Sequence, residues 1–324
     1  MEIKANRLGG RETLVFLGKY GTIMWLLVMI AVFSILLPAF RSANNAVNLL
    51  GQISILSIMA AGMTCCLKMG DFDLSIGATA AITSVVTAKL LVVLNTSIPL
   101  AVLGGLGTGV LIGLANGLLV AYLGLPAFVC TLATMSIIMG AGMAITRGMA
   151  IWNLPEAFEF IGRGDLYGIP IRFILMICML VIIWFIHTYT PTGRRMEAIG
   201  GNAVSSRLSG IKVEWHRLLG YTMSGVCAAI AGIVLTSASM SGNPTQGAMY
   251  MLDAFGASFI GAATVRIGQF HIGGTLVGVL IVVVAVNGLV ILMVPGYYTD
   301  MVKGIILLVA ILLSGVTGKF VTGK

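Results

Sequence analysis

Two carboxylates stand out in this sequence because the stretch around them is otherwise apolar. The stretch "KMGDFDLSIGATAA" (68–81) holds Asp71 and Asp73, two of only eleven acidic residues in 324. This pattern predicts a helix that breaks at Gly70 and restarts at Asp73, whose side chain would accept amide hydrogens at the new helix start. The positive end of that helix could also face a polar solute, but we favour the capping role. The residues at the predicted break are therefore Gly70 and Asp73.

The rest of the sequence contains no pattern that is typical of an enzyme. A phosphate-binding loop needs Ser or Thr after Gly-Lys, but Lys19 precedes Tyr20 and Lys319 precedes Phe320. The three histidines lie at predicted membrane borders with no serine and carboxylate arranged around them. The five cysteines lie in apolar segments and form no C-x-x-C pair. The sequence therefore predicts no catalytic residue, no metal site and no cofactor bound by this chain.

The composition places these residues in a membrane protein. The chain is 58% hydrophobic and 9% charged, with a mean hydropathy of +1.05, which leaves too little polar surface for a soluble domain. Three of the ten apolar runs, the second, eighth and tenth, have about 15 residues or fewer, short of the ~20 that a spanning helix needs, so we predict an all-α polytopic fold with eight to ten transmembrane helices. The ten predicted spans are 21–38, 53–67, 74–94, 98–123, 126–145, 171–186, 218–240, 252–265, 272–294 and 301–315.

The lysine and arginine positions predict the orientation of these spans. With the N-terminus inside, only six of the 19 basic residues fall on the outer side, as the positive-inside rule expects. We therefore predict a cytoplasmic N-terminal segment at 1–20, one transmembrane domain at 21–316 and a cytoplasmic tail at 317–324. The net charge of +8 lies in short segments between apolar runs, which argues against nucleic-acid binding.

Two patterns concern how the helices pack. The stretches "GVLIGLANGLLVAYLGLPAF" (109–128) and "GVLIVVVAVNGLVILMVPGYY" (278–298) share an order of residues, and Asp73 and Asp253 open corresponding spans. These likenesses are compatible with two inverted five-helix repeats, a design found in many transporters. Glycines four residues apart, at 105, 109, 113 and 117 and again at 274 and 278, predict close helix packing rather than ligand contact.

Two loops are longer than a turn requires, one at 147–170 on the predicted outer side and one at 189–217 on the inner side. In the inner loop, glycines at 200, 201 and 210 flank "NAVSSRLS" (202–209). This pattern predicts a short helix that begins after Asn202 as N-cap and is held between flexible turns. The basic residues of the loop would suit an acidic partner surface, although on this pattern alone a solvated positive-inside loop is the favoured explanation.

Several stretches, in order, resemble one protein family. The stretch "AIGGNAVSSRLSGI" (198–211) is similar to the signature of the ribose/xylose/arabinose/galactose-type permease subunits of bacterial ATP-binding-cassette (ABC) importers. Further similar stretches bring the resemblance to about 45–312: "GDFDLSIGA" (70–78), "TLATMSIIMGAG" (131–142), "YTMSGVCAAIAGIVLTS" (221–237) and "PTQGAMYMLDA" (244–254). In the first of these, Asp73, Leu74, Ser75 and Gly77 resemble the family's Gly-x-Asp-Leu-Ser-x-Gly pattern and, with Gly70, make up the predicted helix-break motif.

The chain departs from the family pattern in two places. The stretch "GAATVRIGQF" (261–270) stands where the family is glycine-rich, and Asp71 stands where the family usually has glycine. We therefore expect Asp71 to lie near the aqueous face and to be dispensable, so that Asp71→Gly leaves yield and transport nearly intact.

The resemblance implies a permease of the bacterial inner membrane that works with several partners. These are a cytoplasmic ABC ATPase that binds ATP and magnesium, a periplasmic or lipid-anchored solute-binding protein, a second permease chain in a homodimer or heterodimer, and membrane lipid. The inner loop at 189–217, which we call the coupling loop, would sit on the ATPase and move as a rigid lever. The implied coupling residues are Gly200, Gly201, Asn202, Arg207, Leu208 and Gly210.

The solute and the energy source stay open. The predicted pathway residues are Asn116, Thr134 and Asn287, although hydrogen bonds between helices explain the two asparagines as well. An ion-coupled secondary transporter is an alternative, weakened because the ionisable residues lie near span ends. A passive channel is another, but the chain lacks a filter sequence. Among importer permeases, a monosaccharide is the expected solute, with nucleosides and branched-chain amino acids as alternatives.

Overall fold

The computed structural model describes residues 20–264, 266 and 268–308, which are mostly helical. The helices are α1 (Tyr20–Leu36), α2 (Ala43–Leu67), α3 (Ile76–Val92), α4 (Ile98–Gly117), α5 (Ala127–Thr146), α6 (Glu159–Arg163), α7 (Ile171–Tyr189), α8 (Pro191–Gly201), α9 (Ala203–Leu208), α10 (Val213–Ser239), α11 (Tyr250–Ala262), α12 (Ile272–Ile291) and α13 (296–308). A two-stranded antiparallel hairpin, β1 (Asp165–Leu166) and β2 (Ile169–Pro170), joins α6 to α7.

Long apolar helices dominate the described residues and confirm the predicted all-α membrane fold. Six helices there are long and apolar enough to cross a membrane, namely α2, α4 with its π-helical extension to Tyr122, α5, α7, α10 and α12. Two shorter apolar helices, α1 and α3, correspond to two further predicted spans. The total of eight to ten spans stays a prediction, because residues 309–315 of the tenth predicted span and Val265 of the eighth lie outside the described residues, as do segments 1–19 and 317–324.

Residues 50–254 form one compact unit, and the described residues on either side of that stretch form a second. In the unit 50–254, α10 and the part of α2 after Leu49 are mostly buried, whereas α4, α5 and α7 expose large apolar side chains. In water such exposure would be unfavourable, but in a membrane lipid covers these side chains. Together with α3, which is also mostly buried, α2 and α10 therefore form the centre of this unit.

Glycines allow α4 and α10 to pack with their backbones close together. A Cβ atom added to Gly109 would overlap the carbonyl oxygen of Gly225, and one added to Gly113 would lie 2.5 Å from the carbonyl oxygen of Tyr221. This confirms the close packing predicted from the four-residue glycine spacing. The helices run antiparallel, since successive glycines of α4 meet successively earlier residues of α10.

We expect Gly109→Ala to lower the stability of the protein by about 1–3 kcal/mol, because α4 and α10 would have to separate. Gly107→Ala on the same helix is the matched control, since an added Cβ atom there meets nothing within 4 Å. Thermal unfolding in detergent measures both. Equal melting temperatures for the two variants would contradict the close packing described above.

In the second unit, an amide pair joins the start of α2 to α12. Asn45 Nδ2 donates to Asn287 Oδ1 at 3.1 Å, and Asn287 Nδ2 donates to Asn45 Oδ1 at 2.9 Å. The predicted start of the second span at residue 53 is wrong, because α2 begins at Ala43. The asparagines before residue 50 lower the hydropathy of this stretch without breaking the helix, and the amide of Asn45 is satisfied by Asn287.

Close packing also joins α11 to α12 in this unit. Cβ atoms added to Gly274 and Gly278 would overlap the carbonyl oxygens of Gly261 and Ala257. The predicted packing role of the glycines at 274 and 278 is therefore confirmed. Asp253 lies in the first turn of α11, but the proposed inverted repeat stays a prediction.

Candidate functional site

The helix break predicted in the first acidic stretch lies between α2 and α3. Helix α2 ends at Leu67, and Gly70 has a φ of +79°, a left-handed conformation that glycine adopts without steric cost. The backbone nitrogens of Gly70 and Asp71 donate to the carbonyl oxygens of Leu67 and Cys66 at 3.0 and 3.1 Å, the pattern of a Schellman cap. Residues 71–73 then continue without regular structure until α3 begins at Ile76.

Asp73 is the centre of a buried polar cluster that joins three helices. Its Oδ1 accepts the backbone N–H of Ser75 at 3.0 Å and the Ser75 hydroxyl at 2.6 Å, while its Oδ2 accepts the Ser224 hydroxyl of α10 at 2.6 Å. Asn116 of α4 donates its amide to Ser75 Oγ at 2.8 Å. We call these four residues, Asp73, Ser75, Asn116 and Ser224, the Asp73 cluster. The cluster fixes the start of α3 against α4 and α10.

The carboxylate of Asp73 is stabilised by hydrogen bonds rather than by a cation. Asp73 is 2% exposed, and none of the ion pairs among the described residues includes it. A buried carboxylate without a partner would cost several kcal/mol, so the three donors are needed to retain it. Contrary to the prediction, Asp73 is not the N-cap of α3, because Ser75 holds that position; Asp73 instead accepts the N–H of Ser75 in an Asx-type turn just before the helix.

Two further contacts hold the residues next to Asp73. The hydroxyl of Tyr221 on α10 donates to the carbonyl oxygen of Phe72 at 3.1 Å, and the N–H of Leu74 donates to Thr131 Oγ1 of α5 at 3.1 Å. Gly77, in the first turn of α3, lies so close to the segment before α11 that an added Cβ atom would be 2.9 Å from the carbonyl oxygen of Gly247. The break is therefore fixed by side chains from several helices.

Asp71 does not lie at the aqueous face, so the expectation about its position is wrong, and its burial argues against its being dispensable. It is 5% exposed, and its Oδ2 lies 3.2 Å from Arg217 Nε of α10. Burial raises the pKa of the Asp71 carboxyl to about 6, although the nearby Arg217 opposes the shift. At neutral pH the pair is therefore mostly charged, and Asp71→Gly would leave Arg217 without its carboxylate.

The coupling loop contains two short helices rather than one. Thr190 caps α8, with Pro191 at its first position, and Asn202 Oδ1 accepts the N–H of Ser205 at 2.9 Å, which confirms Asn202 as the N-cap of α9. Gly210, with a φ of +80°, follows α9 and ends the turn. The glycines at 200 and 201 did not predict a helix, yet α8 extends through both because its buried face packs on the end of α2.

Comparison with known proteins shows what kind of protein carries this arrangement. The family model described as branched-chain amino acid transport system / permease component matches residues 45–311. The chain belongs to this permease family. It is therefore a transport component, and no solved structure matches it.

The permease is similar to curated relatives over nearly its whole length. It is 39% identical to the ribose import permease of Bacillus subtilis, over 91% of this chain and 92% of the relative. It is 35% identical to the ribose import permease of Escherichia coli K12, over 93% and 94% of the two chains. It is 32% identical to the D-allose transport system permease of the same strain, over 94% of each chain. The resemblance to sugar-type ABC permeases is therefore confirmed.

The three predicted pathway residues of the permease have different hydrogen-bond partners. Asn116 lies in the Asp73 cluster, whereas Asn287 is paired with Asn45. Thr134 donates to the carbonyl oxygen of Cys130, one turn earlier in its own helix, at 3.1 Å. Only Asn116 therefore meets the helix-break motif, and the Oδ1 of this asparagine is buried without a hydrogen-bond partner.

Sequence reasoning missed the residues that hold the break from α5 and α10. Thr131, Tyr221 and Ser224 lie within stretches that resemble the family, yet no individual role was assigned to them. A signal was available for two of them, because Tyr221 and Ser224 are three residues apart and therefore share one face of a helix. Arg217, one turn before Tyr221, extends the same face toward Asp71.

Proposed function

We propose that the permease translocates a monosaccharide into the cell as the membrane subunit of an ATP-driven importer. The observation that carries this proposal is similarity over some nine-tenths of the chain to permeases named for the import of ribose, allose and L-arabinose. In this proposal a separate cytoplasmic ATPase binds ATP and magnesium, and a periplasmic or lipid-anchored protein supplies the solute. A second permease chain completes the pathway, and both termini lie in the cytoplasm.

The surface of α9 supports the proposal that the coupling loop docks on the ATPase. Leu208 is 85% exposed and Val204 is 67% exposed, although both are apolar residues on a short polar helix. Arg207 pairs with Glu214 at the start of α10, which links α9 to that helix. An exposed apolar pair on a helix surface is suited to burial against a partner protein.

We expect Leu208→Gln to weaken binding of the ATPase about tenfold or more, because an apolar side chain at the centre of the contact would be lost. The cognate ATPase, titrated onto the purified permease, measures this affinity. Met149→Gln is the control, since Met149 is exposed but lies in the loop predicted to be on the opposite side of the membrane. Equal affinities for the two variants would contradict the proposed docking site.

Within the proposed permease, the Asp73 cluster holds the helices in the arrangement described above, and the solute passes elsewhere along the helix bundle. The supporting observation is that both carboxylate oxygens of Asp73 already have donors. Thr134 stays a proposed pathway residue, because it is half-buried and its hydroxyl donates within its own helix rather than holding another helix in place. Asn287 is proposed as a packing residue because its amide pairs with Asn45.

Reconstitution tests this function directly. Vesicles that contain the permease and its cognate ATPase, with the binding protein outside and ATP inside, should take up D-ribose, D-allose or L-arabinose. Uptake without the ATPase but with an ion gradient would instead support a secondary transporter. Uptake of leucine rather than sugars would support the second candidate, a branched-chain amino acid permease, which the description of the matching family favours.

A further inference from the structure

The six residues that follow α2, ending with Asp73, contact the coupling loop at one end and the rest of the Asp73 cluster at the other. We call residues 68–73 the linking segment. At its first residue, Lys68 Nζ lies 2.9 Å from Glu197 Oε2 of α8. In addition, a Cβ atom added to Gly200 of α8 would overlap the carbonyl oxygen of Lys68. Helix α8 therefore touches both the side chain and the backbone at the start of the linking segment.

The next residue continues this contact through apolar packing. Met69 is buried in a cluster with Met196 and Ile199 of α8 and Val213 of α10. Close-packed side chains transmit a displacement because they have no empty volume into which they can move. A movement of α8 would therefore displace Met69 as well as Lys68.

The far end of the linking segment is held by one face of α10. Arg217 pairs with Asp71, and Tyr221, one turn later, donates to the carbonyl oxygen of Phe72. Ser224 then binds the carboxylate of Asp73. Three successive residues of the linking segment are thus fixed by three residues of α10, so the segment cannot shift without changing the position of Asp73 relative to α10.

We propose that the linking segment transmits movements of the coupling loop to the Asp73 cluster, and that Asp71 and Arg217 are the positioning residues of this connection. This inference rests on the proposed function, in which the ATPase moves the coupling loop. Movement of α8 displaces Lys68 and Met69, the ion pair keeps the segment aligned along α10, and Asp73 changes its contacts with Ser224 and Ser75. The helices joined by the cluster then separate.

The first test compares solute uptake with ATP hydrolysis in the complete transporter, with D-ribose as the probe. Asp71→Asn and Arg217→Gln should each lower the ribose taken up per ATP hydrolysed about fivefold or more, the usual lower range of coupling between sites. The double variant Asp71→Arg with Arg217→Asp exchanges the two charges. It should regain at least half of the ribose uptake per ATP that the single variants lose. A purely structural role would lower uptake and hydrolysis in the same proportion.

The matched control is Glu159→Gln, which breaks the Arg163 to Glu159 ion pair, an exposed pair of 2.8 Å in the same unit. It should leave the ratio of uptake to hydrolysis unchanged. The inference is overturned if the two single variants keep the wild-type ratio, if the control lowers the ratio as much as they do, or if the charge exchange restores nothing.

A second measurement does not depend on transport. Melting temperatures of the purified permease are compared for Glu197→Gln, Asp71→Asn and the double variant. A shift in the double variant that differs from the sum of the single shifts supports the connection, and additive shifts overturn it. Wild-type protein that takes up no ribose would contradict the proposed function alone. The melting temperatures would still test whether the linking segment connects the coupling loop to the Asp73 cluster.

Discussion

Asp73→Ala is expected to remove most of the folded protein from the membrane fraction and to abolish transport by the remainder. The change leaves the Ser75 N–H, the Ser75 hydroxyl and the Ser224 hydroxyl without their acceptor in a buried site. Each buried donor left unpaired costs about 1–3 kcal/mol, which together is a large part of the stability of a typical domain. Yield after detergent extraction, thermal unfolding and uptake in vesicles measure the effect.

Two variants make this prediction specific. Asp73→Asn should be intermediate, because the amide oxygen still accepts from Ser75 while the Ser224 hydroxyl must find another arrangement. Thr134→Ala should change yield and melting temperature little, because the Thr134 hydroxyl bonds only to its own helix. An alanine variant of Asp73 that is as stable as the Thr134 variant would contradict the structural role of the Asp73 cluster.

The sequence predicted the helix break because its determinants are local. Glycine is the residue that most readily adopts the left-handed conformation found at Gly70, and aspartate accepts nearby backbone N–H groups. Asn202 was predicted correctly for the same reason, since the capped N–H of Ser205 lies three residues away. The glycine spacing of α4 was also informative, because a period of four places those residues on one face.

The partners of Asp73 and Asp71 could not be predicted in this way. Ser224 and Arg217 lie about 150 residues further along the chain, and a single sequence shows which residues are polar but not which of them meet. The error about Asp71 arose because a departure from a family pattern was interpreted as tolerance. The structure shows instead that this carboxylate has gained a basic partner on α10.

The coupling loop illustrates a second limit of sequence reasoning. Glycines at 200 and 201 have low helix propensity, so the sequence predicted a turn where the last residues of α8 form. Tertiary packing overrides this weak preference, because α8 buries Met196 and Ile199 against Met69. Glycine at 200 is then required for close contact rather than for flexibility, and this distinction appears only once α2 is placed beside α8.

Gly200→Ala is therefore expected to lower ATP-driven uptake about tenfold or more, within the usual range of coupling between distant sites. The added Cβ atom would overlap the carbonyl oxygen of Lys68, a backbone atom that cannot rotate away, so α8 would have to move off the end of α2. Gly201→Ala is the matched control, because a Cβ atom at the neighbouring position meets nothing within 4 Å. Uptake in vesicles and ATPase binding are measured for both. Since α9 and its exposed Leu208 are unchanged, the Gly200 variant should still bind the ATPase but transport poorly, and normal transport by this variant would show that contact between α8 and α2 is not needed for coupling.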